Sequence, residues 1–196
     1  MRSMSSAVQT AIGFRIKSGY AIAIVLTGPR ESPTVVARRI VELSDPKIPA
    51  TKQPYHAGVG TAQEDTREIA RLTKIIERMA QKSVAALLAD GLVASRRCRA
   101  ALVVGSVIDP ARVGNLHIRA HANEGRLFRT VLEEALKAHG VPCSVIVEKS
   151  LGAQSVQTLE RPQGQIKTIV GRLGDSFEGP WRAEEKAAAT AAWMVL

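Results

Sequence analysis

Residues 13–27 read GFRIKSGYAIAIVLT, an apolar run with two cations, Arg15 and Lys17, set into its first half. β-Branched and small apolar residues in near-continuous succession suit a strand buried on both faces. A Gly- and Pro-rich turn follows, GPRESP at 28–33, and then a second β-branched run, TVVARRIVEL at 34–43. A connection this short cannot carry a parallel crossover, so 13–27 and 34–43 are expected to pair antiparallel as a hairpin.

Outward from that hairpin, residues 44–60 (SDPKIPATKQPYHAGVG) carry three prolines and read as a surface loop or a poor edge strand. Thr61 and Glu64 have capping-box spacing, and Ile69, Leu72, Ile76, Met79 and Leu87 then fall on one face of a long helix that Gly91 ends. CRAALVVGSV at 98–107 is a continuous apolar strand, 116–139 is a helix closed by Gly140, and PCSVIVE at 142–148 is another buried strand. These three make a β-α-β unit with strands 99–107 and 143–148 parallel. Short helices are expected near 152–160 and 163–173, with a closing helix opened by Pro180 in GPWRAEEKAAATAAWMVL. Trp181 and Trp193 are read on that last helix as core anchors, with a dimer contact left open.

The chain has 196 residues, 45% of them apolar, enough for one substantial core; the expected organisation is a tail at 1–12 and a single domain at 13–196. No apolar run approaches the roughly 20 residues of a membrane helix, and the first ten residues lack the apolar middle of a secretory signal. The expected setting is cytoplasmic, with no membrane contact. Cys98 and Cys143 each begin a strand and are read as reduced, packed thiols. The net charge is +9, and residues 1–100 hold 16 Lys and Arg against 8 Asp and Glu, so the excess lies in the first half. Such a surface suits phosphate and makes nucleic acid a reasonable partner, although it also merely aids solubility. An aromatic content of 4% argues against a base-stacking platform for single strands.

The succession from GFRIKSGYAIAIV through ALVVGS to the alanine-rich AEEKAAATAAWMV resembles the ribonuclease H-like superfamily, and within it the RuvC-type Holliday-junction resolvases. The resemblance implies an α/β fold with a mixed sheet, an N-terminal antiparallel hairpin followed by β-α-β, and flanking helices. It also implies carboxylates on the first strand, at the end of the strand after the first helix, and on the last helix, where two divalent cations would bridge the attacking and leaving oxygens. This chain departs from that pattern. Lys17 falls about where the first-strand aspartate would be, Gly105 and Ser106 fall near the second acid, and the last helix offers Glu184 and Glu185 with Lys186 beside them. A protonated lysine cannot ligate Mg²⁺ and would displace it as a counter-ion. The expectation is a nuclease-like fold without two-metal cleavage, binding nucleic acid or a protein partner, with Arg15, Lys17, Arg38 and Arg39 as nucleic-acid-binding candidates. The opposing reading places Arg15 and Lys17 on the solvent face of a strand end, their stems covering apolar surface.

A second polar set lies in DPARVGNLHIRAHANEGRLFR. His117, His121 and Glu124, at spacings of four and three, project from one side of a helix and could ligate a divalent metal. Asp109, Arg119 and Arg126 lie nearby, after the carboxyl end of a central strand, where open α/β sheets place ligands. The group is expected to form the most polar concavity of the molecule, and a metal-assisted hydrolase or phosphoryl-chemistry enzyme with its site at 109–126 is the alternative function. The same groups also suit an anion, or a helix edge whose Leu116, Ala120, Leu127 and Val131 pack on the sheet. No Walker loop, dinucleotide glycine pattern, zinc-protease motif or nucleophile elbow is present.

Overall fold

The computed structural model describes residues 9–58, 61–91 and 98–196. The opening stretch is two strands, not one. Strand β1 (Thr10–Lys17) turns through Ser18 and Gly19 into β2 (Tyr20–Thr27), and the two pair antiparallel with Lys17 opposite Tyr20. Gly19 has φ +83°, a conformation a side chain would strain, and so it permits the tight reversal. Strand β3 (Thr34–Glu42) pairs antiparallel with β2, so the third strand of the meander is 34–42 rather than a segment within 44–60. Thr10–Ile12 belong to β1 and are buried, so the first strand begins ahead of residue 13; residues 1–8 of the expected tail lie outside the described residues.

Strands β4 (His56–Gly58) and β5 (Thr61–Ala62) form a separate small hairpin. The first long helix, α1 (Thr66–Ala89), therefore does not begin in a Thr61–Glu64 capping box. Its cap is Asp65, whose carboxylate accepts from the N–H groups of Arg67 (2.9 Å) and Glu68 (3.2 Å). Strand β6 (Cys98–Val104) runs parallel to β1, and β7 (Cys143–Val147), after helix α2 (Leu116–Ala138), runs parallel to β6. The sheet order is β3-β2-β1-β6-β7, antiparallel in its first half and parallel in its second.

Helices cover both faces. Ile12, Phe14 and Ile16 of β1 pack with α1 and α2 through Ile76, Ala80, Val84, Phe128 and Leu132. Ala11 of β1 and Ile22 and Ile24 of β2 pack on the other face against α4 (Gln163–Arg172) and α5 (Ala183–Val195). With both faces covered, β1 and β2 need no polar alternation, which is why the run looked continuous. Helix α3 (Glu148–Leu159) follows β7 directly. Gly13 is where α5 lies closest to the sheet: a Cβ there would stand 1.8 Å from the Ala188 carbonyl oxygen.

Pro180 and Trp181 precede α5 rather than opening it. Trp181 stacks on Phe177 and donates to the Val170 carbonyl at 2.9 Å, whereas Trp193 is fully buried and donates to the Arg30 carbonyl at 2.8 Å. Both anchor the α4–α5 layer, and burial removes Trp193 from any dimer contact. Among the described residues, no helix is long and apolar enough to cross a membrane.

Candidate functional site: a cationic strand end beside three histidines

Alternation along β1 sends Ile12, Phe14 and Ile16 to the α1–α2 face and Arg15 and Lys17 to the α3–α5 face. Arg15 is not solvent-facing: only 8% of the residue is exposed. Its Nη2 donates to Glu148 Oε2 at 2.6 Å and its Nη1 to the Ile16 carbonyl at 2.8 Å. Glu148 is the first residue of α3, whose amino end favours a carboxylate. Lys17, about one-third exposed, reaches Glu184 Oε1 at 3.4 Å. The Glu184 carboxyl is held below its ordinary value, first by its own backbone N–H and then by Lys17. Glu185 is occupied differently, accepting from the Arg182 N–H at 3.1 Å as a cap of α5.

The strand end expected to present metal-binding carboxylates thus presents two cations, each with its own glutamate. Gly105 and Ser106, directly after β6, supply no acid. These residues do not fit a carboxylate two-metal centre, because the acids that reach this end on the α3–α5 face already neutralise Arg15 and Lys17.

On the opposite face the segment 44–58 delivers a residue that sequence spacing did not reveal. The Gly19 carbonyl accepts from the N–H groups of Leu43 and Ser44, both at 2.9 Å, and Thr51, fully buried, bonds Asp45 and Ile48. The loop so pinned carries His56 onto α2. His56 Nδ1 lies 2.7 Å from Glu124 Oε1, an oxygen that also accepts from the Tyr55 N–H at 3.3 Å. The side chains of His56 and Glu124 are 5% and 2% exposed. His117 and His121 project from α2 toward the same point, their Nε2 atoms 3.2 Å apart, and the ring centroid of His56 is 5.2 Å from that of His117 and 4.6 Å from that of His121. One coordinating nitrogen from each of the three rings lies within 4.8 Å of the others.

His117, His121 and Glu124 therefore do converge, but Glu124 turns inward to hold His56 rather than outward as a ligand. Among the described residues, His56 Nε2 and Glu124 Oε2 are buried without a hydrogen-bond partner. Each such orphan costs on the order of 1–3 kcal/mol unless something satisfies it. The one signal for His56 in the sequence was scarcity: the chain has four histidines, and three of them meet here.

The remaining candidates go elsewhere. Arg119 and Arg126 share a stripe of α2 nearly opposite His117, His121 and Glu124, since a helix advances about 100° per residue. Arg119 Nε donates to the Val113 carbonyl at 2.7 Å and Arg126 is exposed, so the expected concavity does not include them. Asp109 caps a local turn by accepting from Ala111 N–H at 3.1 Å. Leu116 is 55% exposed and does not pack on the sheet. Arg38 lies over the Phe177 ring and donates to the carbonyls of Glu178 and Pro180, while Arg39 pairs with Asp90 at 2.8 Å. Both tie β3 to its neighbours and neither joins Arg15 and Lys17. The concavity that does form, about 290 Å³, lies at the carboxyl ends of β1 and β6 and is lined by Arg15, Lys17, Ser106, His121, Glu124 and Phe128, among others.

Among the solved structures that match this fold are two of one protein. A structure of Thermus thermophilus RuvC matches with a TM-score of 0.55 at 11% identity, covering 94% of this chain and 92% of that one. T. thermophilus RuvC in complex with Holliday junction substrate matches with a TM-score of 0.56 at 12% identity, covering 95% and 91%. The fold is ribonuclease H-like. At such identities the likeness speaks for the fold alone. No protein-family model matches the chain, and no curated protein matches it.

Proposed function

We propose that this ribonuclease H-like protein binds the phosphate backbone of structured nucleic acid at the carboxyl edge of its sheet, without two-metal cleavage. The observation that carries the reading is the pair of cations at this strand end, Arg15 and Lys17, each balanced by a glutamate, with Lys17 about where the resemblance implies an aspartate. A phosphate entering the adjoining cavity would compete with Glu184 for Lys17, a long and partly exposed contact of the kind that is weak in water. The Arg15–Glu148 pair stays in place, which leaves Lys17 as the cation that meets the phosphate. A net charge of +9 supports the same reading, since backbone binding gains from release of condensed counter-ions. The likeness to RuvC, solved with a Holliday junction substrate, makes a branched duplex the first ligand to try.

The test is the ratio of absorbance at 260 and 280 nm for protein purified at low salt, before and after a high-salt wash. Co-purifying nucleic acid that the wash removes supports the reading; a protein-only ratio at both stages, with no binding to added junction DNA, ends it.

A second reading is favoured by the convergence of His56, His117 and His121 on the same edge. In it the site performs metal-assisted hydrolysis or phosphoryl chemistry with a divalent cation held by imidazoles.

A further inference from the structure

We propose that His56, His117 and His121 bind one first-row transition cation of the Zn²⁺ type, and that Glu124 is the carboxylate that orients His56 from behind. The inference does not depend on nucleic acid binding.

The lone pair of His56 comes first. A carboxylate can only accept, so the 2.7 Å contact with Glu124 puts a proton on Nδ1, and in the neutral ring that leaves Nε2 as the bare nitrogen. That nitrogen is buried and has no hydrogen-bond partner among the described residues, and the ring carrying it packs against the two other imidazoles. A histidine whose second nitrogen is held by a carboxylate is the usual arrangement behind a metal-ligating imidazole, because it fixes the tautomer and raises the basicity of the ligand.

The spacing of the other two rings agrees. Two Zn–N bonds of about 2.0–2.1 Å at a tetrahedral angle place their nitrogens about 3.3–3.4 Å apart. His117 and His121, one helical turn apart on α2, hold their Nε2 atoms at 3.2 Å. With all three coordinating nitrogens within 4.8 Å, closure around a tetrahedral ion needs a displacement of about 1.5 Å or less. Two imidazole nitrogens this close must otherwise share a single proton, and Nε2 of the third ring has no hydrogen-bond partner among the described residues.

Donor chemistry selects the ion. Three imidazoles suit Zn²⁺, Co²⁺, Ni²⁺ or Cu²⁺, whereas Mg²⁺ and Ca²⁺ take oxygen ligands. Three protein ligands leave a fourth position for water, the pattern of open rather than closed zinc sites. His117 and His121 are exposed, and His121 also lines the cavity shared with Arg15 and Lys17, so an anion in that cavity would lie beside the ion.

The experiment uses the full chain without a histidine tag, stripped with chelator and dialysed. Calorimetric titration with Zn²⁺ should give one equivalent per chain, Co²⁺ should give the intense visible bands of a tetrahedral complex, and millimolar Mg²⁺ should not compete. Glu124→Gln should weaken Zn²⁺ binding 10- to 100-fold. His121→Ala, at a half-exposed ring, should fold normally, lose at least 100-fold in affinity and lose the melting-temperature increase that Zn²⁺ gives the wild type. The proposal is overturned if the wild type takes up no stoichiometric Zn²⁺. It is equally overturned if His56→Ala binds as tightly as the wild type, which would leave only an adventitious pair on α2. Should His56→Ala not fold, the His121→Ala and Glu124→Gln titrations decide alone.

Discussion

Gly13→Ala should be severely destabilising although it adds one methyl group to a strand. In a strand interior, alanine is ordinarily the better residue by roughly 0.5–1 kcal/mol, because glycine loses more backbone freedom on folding. Here the new Cβ would stand 1.8 Å from the Ala188 carbonyl oxygen and 2.6 Å from the Ala192 nitrogen. Those are backbone atoms of α5 and cannot rotate away. Restoring an ordinary contact of about 3.5 Å requires α5 to retreat by about 1.7 Å, and a gap of even 0.5–1 Å forfeits a quarter to a half of each dispersion contact it opens. The helix face concerned carries Ala188, Ala192 and the fully buried Trp193. Overpacking typically costs 1–3 kcal/mol; with backbone as the obstacle, the expected loss is about 3–4 kcal/mol, against a total stability of roughly 5–15 kcal/mol. Urea unfolding followed by circular dichroism and Trp193 fluorescence measures it. A loss below about 1 kcal/mol with native fluorescence would refute the account of how α5 seats on β1.

Three other outcomes follow from the same structure. Glu184→Gln removes the counter-ion of Lys17, so at neutral pH and low salt it should tighten DNA binding by about 1.4- to 5-fold; unchanged or weaker binding in an anisotropy titration counts against Lys17 as a phosphate contact. Because the Glu184 carboxyl sits below its ordinary 4.5 in the folded chain, the small stability this pair adds is present above that value and is lost as pH falls through the lower folded one; Glu184→Gln should flatten that part of the acid-unfolding curve. Burial pushes the Cys98 thiol up to about 11 and the Cys143 thiol up to about 12, so neither should react with an aromatic disulfide reagent at pH 8 until the chain is unfolded, when two thiols per chain should appear. Rapid labelling of the native protein would contradict the burial of both strand starts.

The fold was legible where a pattern is local. The β-α-β unit, the long helices and the antiparallel partner of 34–42 follow from periodicity and short connections. The reversal at Ser18–Gly19 was not legible, because strands covered on both faces show no alternation, and two residues amid an apolar run look like part of it. Asp65 displaced the Thr61–Glu64 cap once Thr61 was taken into a hairpin, a pairing that single-residue spacing cannot show. At the site, the i, i+4 and i+7 set of His117, His121 and Glu124 was readable on helical geometry alone. His56 was not, since 61 residues separate it from His117 and it arrives on a proline-rich loop anchored by Ser44 and Thr51. The inward turn of Glu124 depends on His56, so its role as an orienting group was hidden with it. Arg119 and Arg126 were grouped with the site by proximity in the chain, whereas 100° per residue sends them to the other side of α2.

The central proposal is that Lys17, beside the Arg15–Glu148 pair, makes the carboxyl edge a phosphate-binding surface and not a two-metal nuclease centre. It is tested most directly by titrating a fluorescently labelled four-way DNA junction with wild type and Lys17→Ala across a range of salt concentrations. The labelled strands are then run on a denaturing gel after incubation with Mg²⁺ or Mn²⁺. The account predicts salt-dependent binding, a slope of log K against log salt smaller in magnitude by about 1 for Lys17→Ala, and intact strands with either metal. Metal-dependent strand scission that Glu184→Gln abolishes, or no salt-dependent binding by the wild type, would contradict it.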